Sequence, residues 1–459
     1  MARAQDPQLA RDAATQVVRT LRDAGHEAYF AGGCVRDELL GLHPTDYDVA
    51  TDATPARVTA LFHGTIQVGA SFGVVLVPVN LRAARCAIEV ATFRSDGTYA
   101  DARRPDHVTF ADKHADAQRR DFTINALFLD PLETAPSPQH TASPLGGRVL
   151  DLVGGLADLK ANILRAVGDP VQRLAEDHLR ALRAVRFAAR LGFSIEPATS
   201  AALTRDAGSL RGVSRERVGA ELRRMLMHRS RAVAADLLQQ HALDAPALDE
   251  APTRAALPRL LALPEPGLTG LPDGRGQFPG ECPAPEELYP GVALAAWAAD
   301  RDHAAGFEPD PESTTRRLRR ALCLSNDEAA TLQRVLSAFR DLTPEWLGRP
   351  SHEQKRSIAR AGFSEALWLR RATDPILADR VLNQVGLRRA SASGIAPEPL
   401  VNGGDLLRLG AQSGPMFKIV LDAVFDRQLA DDFSDVPDPK TAALTLARTL
   451  LANGGYGLT

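Results

Sequence analysis

The stretch from His26 to Thr51 constrains the fold more tightly than any other part of the chain. HEAYFAGG predicts a short strand, VRDELLG a helix, and TDYDVAT alternates as a second strand. Gly32-Gly33 falls at the strand-to-helix turn. Without a Cβ there, backbone N–H groups approach a phosphate closely, and the helix N-terminus favours its negative charge. Asp46 and Asp48, one residue apart on a strand, point to one face, while Tyr47 and Val49 point to the other. Two adjacent carboxylates repel unless a divalent cation neutralises them. Mg2+ held by a few carboxylates and by substrate phosphates is the usual arrangement for phosphoryl and nucleotidyl transfer. A lone Gly-Gly is a plain tight turn, and an alternating aspartate pair is common on exposed strands. Their order, strand, Gly-Gly, helix and then the pair, is what points to a two-metal site at Asp46 and Asp48.

A chain of 459 residues is too long for one ordinary core, so two to four domains are expected. With 44% hydrophobic and 24% charged residues it reads as soluble and globular. The 54 Lys and Arg nearly balance the 57 Asp and Glu, which neither favours nucleic acid nor excludes a local basic groove. Cys34, Cys86, Cys282 and Cys323 lie far apart with no CxxC spacing, so neither a disulfide framework nor a zinc site is expected. The polar start, MARAQDPQLARD, lacks the apolar core of a signal peptide, and no eighteen apolar residues run together. A cytoplasmic location without membrane attachment is the expectation.

Helical spacing over 8–24 ends at Gly25, and Thr54-Pro55 caps a helix over ARVTALF. Strands are predicted around 72–79 and 86–93. The first 130 residues thus read as a small mixed sheet flanked by helices. Residues 131–147, rich in Pro, Ser and Thr, read as a loop, and 263–291 as a second Pro/Gly-rich linker or loop. From about 156 onward strands almost vanish, with successive helices over 170–243 and last helical blocks at 403–432 and 439–452.

The string GGxVRD followed by DxD resembles the catalytic core of the polymerase-beta-like nucleotidyltransferases. Within them it is similar to the class II tRNA nucleotidyltransferases (CCA-adding enzymes) and the bacterial poly(A) polymerases. QRRDFTINALFLDP, 118–131, resembles a second signature of that family. The resemblance implies an α+β fold, a polymerase-beta-like head followed by an all-helical neck, body and tail. It implies Mg2+ chemistry at Asp46 and Asp48, with a third carboxylate on a neighbouring strand, for which Glu89 is the best candidate. Around the nucleotide it implies Gly32, Gly33 and Arg36 at the first turn. Arg119 and Arg120 would hold triphosphate through forked donors, Asp121 would accept from ribose hydroxyls, and Asn125 would support the loop or the ribose.

EDHLRALRAVRFAARLGF, 176–193, contains the family motif EDxxRxxR as Glu176, Asp177, Arg180 and Arg183. The spacing predicts that Glu176 and Asp177 meet Arg180 on one helix face. Cytosine and adenine both present an amino group beside a ring-nitrogen acceptor, whereas uracil and guanine present a carbonyl beside a ring N–H. A carboxylate accepts from the amino group and a guanidinium donates to the ring nitrogen, so Asp177 with Arg180 would accept C and A and reject U and G. The resemblance assigns that pair this templating role. Arg183, Arg186 and Arg190 continue as a basic stripe bordering triphosphate and RNA. SRERVGAELRRML, 214–226, resembles the last neck motif, with Arg217 and Glu221 as i,i+4 braces of the pocket.

The polar segment 94–110, with Arg94, Asp96 and Arg103-Arg104, resembles the loop that helps the family switch from C to A, which argues against a pure CC-adding enzyme. NGGDLLRLGAQSGPMFKIVLDAVFDRQLADD, 402–432, resembles the tail of many CCA-adding enzymes, with Gly414-Pro415 suited to packing or phosphate contact. No HxxxHD cluster occurs, so no phosphohydrolase domain is expected. The expected division is a head over 1–153, a neck over 154–243, a body over 244–400 and a tail over 401–459. The partners implied are a tRNA 3′ end, CTP and ATP, and the activity is building or repair of the terminal CCA. An A-adding enzyme of a split pair and a poly(A) polymerase share this chemistry. A non-catalytic RNA binder on the same fold and a small-molecule nucleotidyltransferase are the readings from other classes.

Overall fold

In the computed structural model, residues 7–44, 46–67, 73–81, 84–96, 108–133, 142–263 and 285–453 are described. The chain divides into two compact units, Met1–Met225 with Val233–Pro252, and Leu226–Ala232 with Thr253–Thr459.

The first unit opens on α1 (Pro7–Asp23), which buries Ala10, Ala13, Ala14, Val17, Val18 and Leu21 along one face and stops ahead of Gly25, at φ +86°. Next come β1 (Ala28–Ala31), α2 (Gly33–Leu39), β2 (Asp48–Thr51) and α3 (Pro55–Leu61). Thr54 caps α3 as its sequence predicts, accepting from the Arg57 N–H with Pro55 in the first turn. Then follow β3 (Ile66–Gln67), β4 (Val74–Leu81), β5 (Ala84–Thr92), β6 (Arg94–Asp96), β7 (Val108–Phe110), α4 (Lys113–Gln118), β8 (Phe128–Asp130) and β9 (Arg148–Leu150). Of the two middle strands, expected at 72–79 and 86–93, β4 sits two residues later, and β5 starts two residues earlier and ends one earlier.

Seven of these strands form one sheet in the order β3-β4-β5-β2-β1-β8-β9. β2 runs antiparallel to β1 and parallel to β5, so the sheet is mixed, as expected. The parallel register pairs Asp48 with Glu89 and Val49 with Val90. Tyr29, Phe93 and Phe128 meet as an aromatic core at 6.0 to 6.3 Å between ring centroids. β6 and β7 pair as an antiparallel stem, Arg94 opposite Phe110. Residues 97–107 of the 94–110 segment, with Arg103 and Arg104, lie outside the described residues, as do 134–141 of the 131–147 stretch and 264–284 of the 263–291 stretch.

Beyond the sheet the chain is helical: α5 (Gly155–Ala161), α6 (Pro170–Glu176), α7 (Leu179–Leu191), α8 (Pro197–Arg205) and α9 (Arg215–Leu226). A short parallel pair, Ile163–Leu164 with Ser194–Ile195, interrupts them. The second unit is helical throughout its described residues, from Pro258–Ala262 to Pro439–Ala452, around the fully buried Trp297, Phe339 and Trp346. Val401, Leu406, Val420, Val424, Ala443, Ala447 and Leu450 form a further cluster over the terminal helices. Among the described residues no helix is long and apolar enough to cross a membrane.

Candidate active site

From Asp46 to Val49 exposure alternates, Asp46 and Asp48 facing out while Tyr47 and Val49 are buried, and the rest of β2, Ala50 and Thr51, is buried. Tyr47 donates to Glu38 Oε1 at 2.8 Å beneath the sheet, which fixes the side on which the aspartates lie. Burial and that hydrogen bond push the Tyr47 hydroxyl well above its usual pKa. On the neighbouring strand Glu89 is also exposed, in register with Asp48. Strands lie about 4.8 Å apart, so this register sets two carboxylates side by side. Cys34, at the start of α2, is buried against Asp48; burial first, and then the Asp48 charge, push its thiol up to about 12.

Of the two glycines, Gly32 carries the conformational demand. It sits at φ +80°, and a Cβ there would stand 3.0 Å from Arg120 Nη1. A Cβ on Gly33 would meet only Arg36 Nη2, at an ordinary 3.6 Å. The Gly32 turn therefore opens directly onto the arginine pair of the second signature.

A cleft of about 530 Å3 gathers the site. Gly32, Gly33, Arg36, Asp48, Arg119, Arg120, Asp121, Asn125, Asp177, Arg180 and Arg183 line it, together with Leu179, Phe187 and Arg217. Six arginines against three aspartates make the lining suited to an anionic ligand. Asp46, Glu89 and Arg186, all expected at the site, are not among the lining residues.

Each arginine is held by a partner. Asp116, only 1% exposed, takes Arg119 on one carboxylate oxygen and Arg120 on the other. Burial alone would raise its pKa, but the two guanidiniums outweigh that and hold it low. Asp121 accepts from the Phe122 N–H, from Asn125 Nδ2 and from Arg183. Against the cost of burial, the Arg183 charge and these bonds lower it to about 2. Arg36 donates to the Asn125 side chain and to Asp37. Phe187 lies beneath Arg36, Arg183 and Arg186, with ring-to-guanidinium distances of 4.3 to 5.3 Å.

Three expectations are corrected here. Asp177 does not share a helix with Arg180. It ends α6 in an extended conformation, φ −151° and ψ 103°, and its carboxylate accepts from the Leu179 N–H that opens α7. Its other oxygen pairs with Arg217 at 2.6 Å, so Arg217 does not brace Glu221, which pairs instead with Arg186 and Arg224. The Arg183, Arg186 and Arg190 stripe is not a bare cationic face, because its members answer Asp121, Glu221 and Asp37 respectively. The buried Asp121 and Glu221 and the partly exposed Asp37, on other elements and invisible to a single-helix reading, supply those partners.

The sequence reading missed Asp116, Phe187 and Arg173. Asp116 stands three and four residues ahead of Arg119 and Arg120, a spacing that would have found it. Arg173 stands three residues ahead of Glu176, to which it donates at 2.7 Å, so that pair carries the same signal, while its remaining partners are backbone carbonyls that no spacing shows.

Residues 28–165 match the family described as the Poly A polymerase head domain, and 192–251 match the probable RNA and SrmB-binding site of polymerase A. A CCA-adding enzyme of Limosilactobacillus fermentum is 32% identical over 92% of this chain and 94% of its own length. The chain belongs to the CCA-adding enzyme family. A CCA-adding enzyme of Lacticaseibacillus paracasei is 42% identical over 57% of this chain, a match spanning 62% of that relative's length. Among solved structures, the Bacillus stearothermophilus CCA-adding enzyme in complex with CTP superposes with a TM-score of 0.67 at 28% identity, over 96% of this chain and 98% of its own. The Thermotoga maritima CCA-adding enzyme complexed with tRNA-CCA shares the fold, with a TM-score of 0.62 at 19% identity over 96% of each chain.

CCA-adding enzymes are nucleotidyltransferases, a class that works with divalent metal. Among the described residues no three His, Cys, Asp or Glu side chains form a ready-made cage. Asp48 and Glu89, exposed oxygen donors in register on neighbouring strands, have the chemistry for a hard divalent cation held by one or two carboxylates and by substrate phosphates.

Proposed function

We propose that this chain builds or repairs the 3′-terminal CCA of tRNA, taking CTP and ATP without a nucleic-acid template. One observation carries the reading: Asp48 of the carboxylate strand and the Asp177 and Arg180 side chains line the same arginine-rich cleft. A nucleoside triphosphate spanning that cleft would have its base at Asp177 and Arg180 and its phosphates at the Gly32 turn.

In this reading Asp46 and Asp48, with Glu89 beside them, hold Mg2+ ions. When bound, such ions supply activation of the RNA 3′-hydroxyl and charge stabilisation on the leaving pyrophosphate. Arg119 and Arg120, presented together by Asp116, bind the triphosphate, and Arg36 and Arg183 add positive charge at the cleft wall. Asp121 and Asn125 face the ribose. Asp177 accepts from the base amino group and Arg180 donates to the ring nitrogen, so U and G leave buried polar groups unpaired at about 1–3 kcal/mol each. Head, neck, body and tail then correspond to 1–153, 154–243, 244–400 and 401–459, and the tail region meets tRNA. The reaction belongs in the cytoplasm.

Two variants test the reading on tRNA lacking CCA. Asp48→Ala is expected to lower extension by at least about a thousandfold, the scale of losing charge stabilisation at a transition state; wild-type extension overturns the metal assignment. Arg180→Ala is expected to admit UTP while metal affinity holds, and unchanged base choice overturns the templating assignment.

A further inference from the structure

Arg180 donates to three acceptors: the Arg173 carbonyl at 2.7 Å, Glu176 Oε2, and the Arg119 carbonyl at 3.3 Å. Arg173 converges on two of the same oxygens. Its Nη1 reaches Glu176 Oε2 at 2.7 Å and the Arg119 carbonyl at 3.3 Å. Its Nη2 reaches the Gln118 carbonyl at 2.7 Å, and its Nε reaches the Val167 carbonyl at 3.1 Å. Two guanidiniums thus share one carboxylate oxygen and one peptide oxygen. Arg173 spans from the end of α4 to α6, and its own backbone carbonyl is an acceptor for Arg180.

A guanidinium has five N–H donors. Nη1 of Arg180 spends both of its donors, on Arg173 and Glu176, and Nη2 spends one on Arg119. Nε–H and one Nη2–H are left for the cleft. The orientation of that remaining pair is set by the frame of acceptors, and Arg173 is the side chain that locks the frame together.

We propose that Arg173 is a positioning residue for base selection, acting through Arg180 rather than on the nucleotide; Arg173 is not among the residues lining the cleft. Without it, Glu176 Oε2 and the Arg119 carbonyl lose their second donor, and Arg180 gains freedom to present its donors at other angles. A base offering a carbonyl in place of the amino group then finds a donor in the re-aimed guanidinium. The inference rests on the templating role proposed above for Arg180.

A double-mutant cycle tests it, with UTP against CTP incorporation on tRNA lacking CCA as the readout, beside thermal melting of each variant. Arg173→Ala is expected to raise relative U incorporation by about tenfold, the scale of one lost buried pairing. In the Arg180→Ala background, Arg173→Ala is expected to change base choice no further. Equal and additive effects in the two backgrounds overturn the proposal, because they mean that Arg173 acts independently of Arg180. Wild-type selectivity in Arg173→Ala beside relaxed selectivity in Arg180→Ala also overturns it, leaving the templating reading intact. Wild-type selectivity in Arg180→Ala instead overturns that reading itself. Should Arg173→Ala fail to fold, Arg173→Lys keeps one charge on Glu176 but cannot serve four acceptors. Relaxed base choice is expected there too, and wild-type selectivity in it overturns the proposal.

Discussion

Asp121 shows how much of this cleft depends on single carboxylates. Its folded pKa of about 2 lies below the ordinary 3.8. A depressed carboxylate contributes stability that is fully present above its unfolded pKa and is lost as pH falls toward the folded value. Acid titration of stability should therefore show a loss between about pH 4 and pH 2 that Asp121→Asn removes. At neutral pH the same substitution leaves the half-buried Arg183 with a weaker partner and should cost about 1–3 kcal/mol in chemical unfolding, the range for losing a hydrogen bond to a charged group. Asp116→Ala makes a different prediction. With its clamp gone, Arg119 and Arg120 no longer share a fixed orientation, so KM for the nucleoside triphosphates should rise about tenfold or more, the scale of a lost charged hydrogen bond. An unchanged KM would mean that the clamp is only structural. Asp46, Asp48 and their alternation were legible in the sequence, because a strand's period of two is local. Asp116 was legible too, by its helical spacing, but its burial was not. The partners of Arg186 and Arg190 were not legible, because Glu221 and Asp37 come from other helices.

At the scale of elements, the strand–glycine–helix–strand unit appears as the sequence predicts, since β-branched alternation and the Gly32 turn specify it without help from elsewhere. The break between α6 and α7 was not anticipated. Charged and apolar residues keep a helical period through 176–180, yet Asp177 leaves the helix and caps the next one. Aspartate's preference for helix starts is the local signal that competes with periodicity there. The same break separates Asp177 and Arg180, the residues proposed to select the base, onto different elements. A second element-scale feature is the approach of α5 to the Thr123–Asn125 turn. A Cβ on Gly155 would stand 2.3 Å from the Thr123 carbonyl oxygen, and that contact is with backbone. Gly155→Ala should lower the thermal midpoint, with about 1–3 kcal/mol lost to overpacking. By displacing Asn125 it should also weaken triphosphate binding. A variant with wild-type stability and affinity would show that the turn yields without cost.

At the scale of the whole molecule, the near-balanced charge of 54 basic against 57 acidic residues is compatible with an RNA-binding enzyme, because six arginines against three aspartates line the cleft. Binding of tRNA should accordingly weaken steeply with added salt despite the net charge of −3, in the linear log–log manner of counterion release. A salt-independent dissociation constant would speak against phosphate contacts. In the proposed function, the Asp48 cleft adds all three terminal nucleotides and chooses them by the state of the RNA end. The most direct measurement supplies CTP, ATP, UTP and GTP singly to tRNA ending before the first C, after one C, and after CC. The account predicts C on the first two ends, A only on the third, and neither U nor G on any. Addition of A alone to the third end, with no C added to the others, or repeated addition of A to every end, would contradict it.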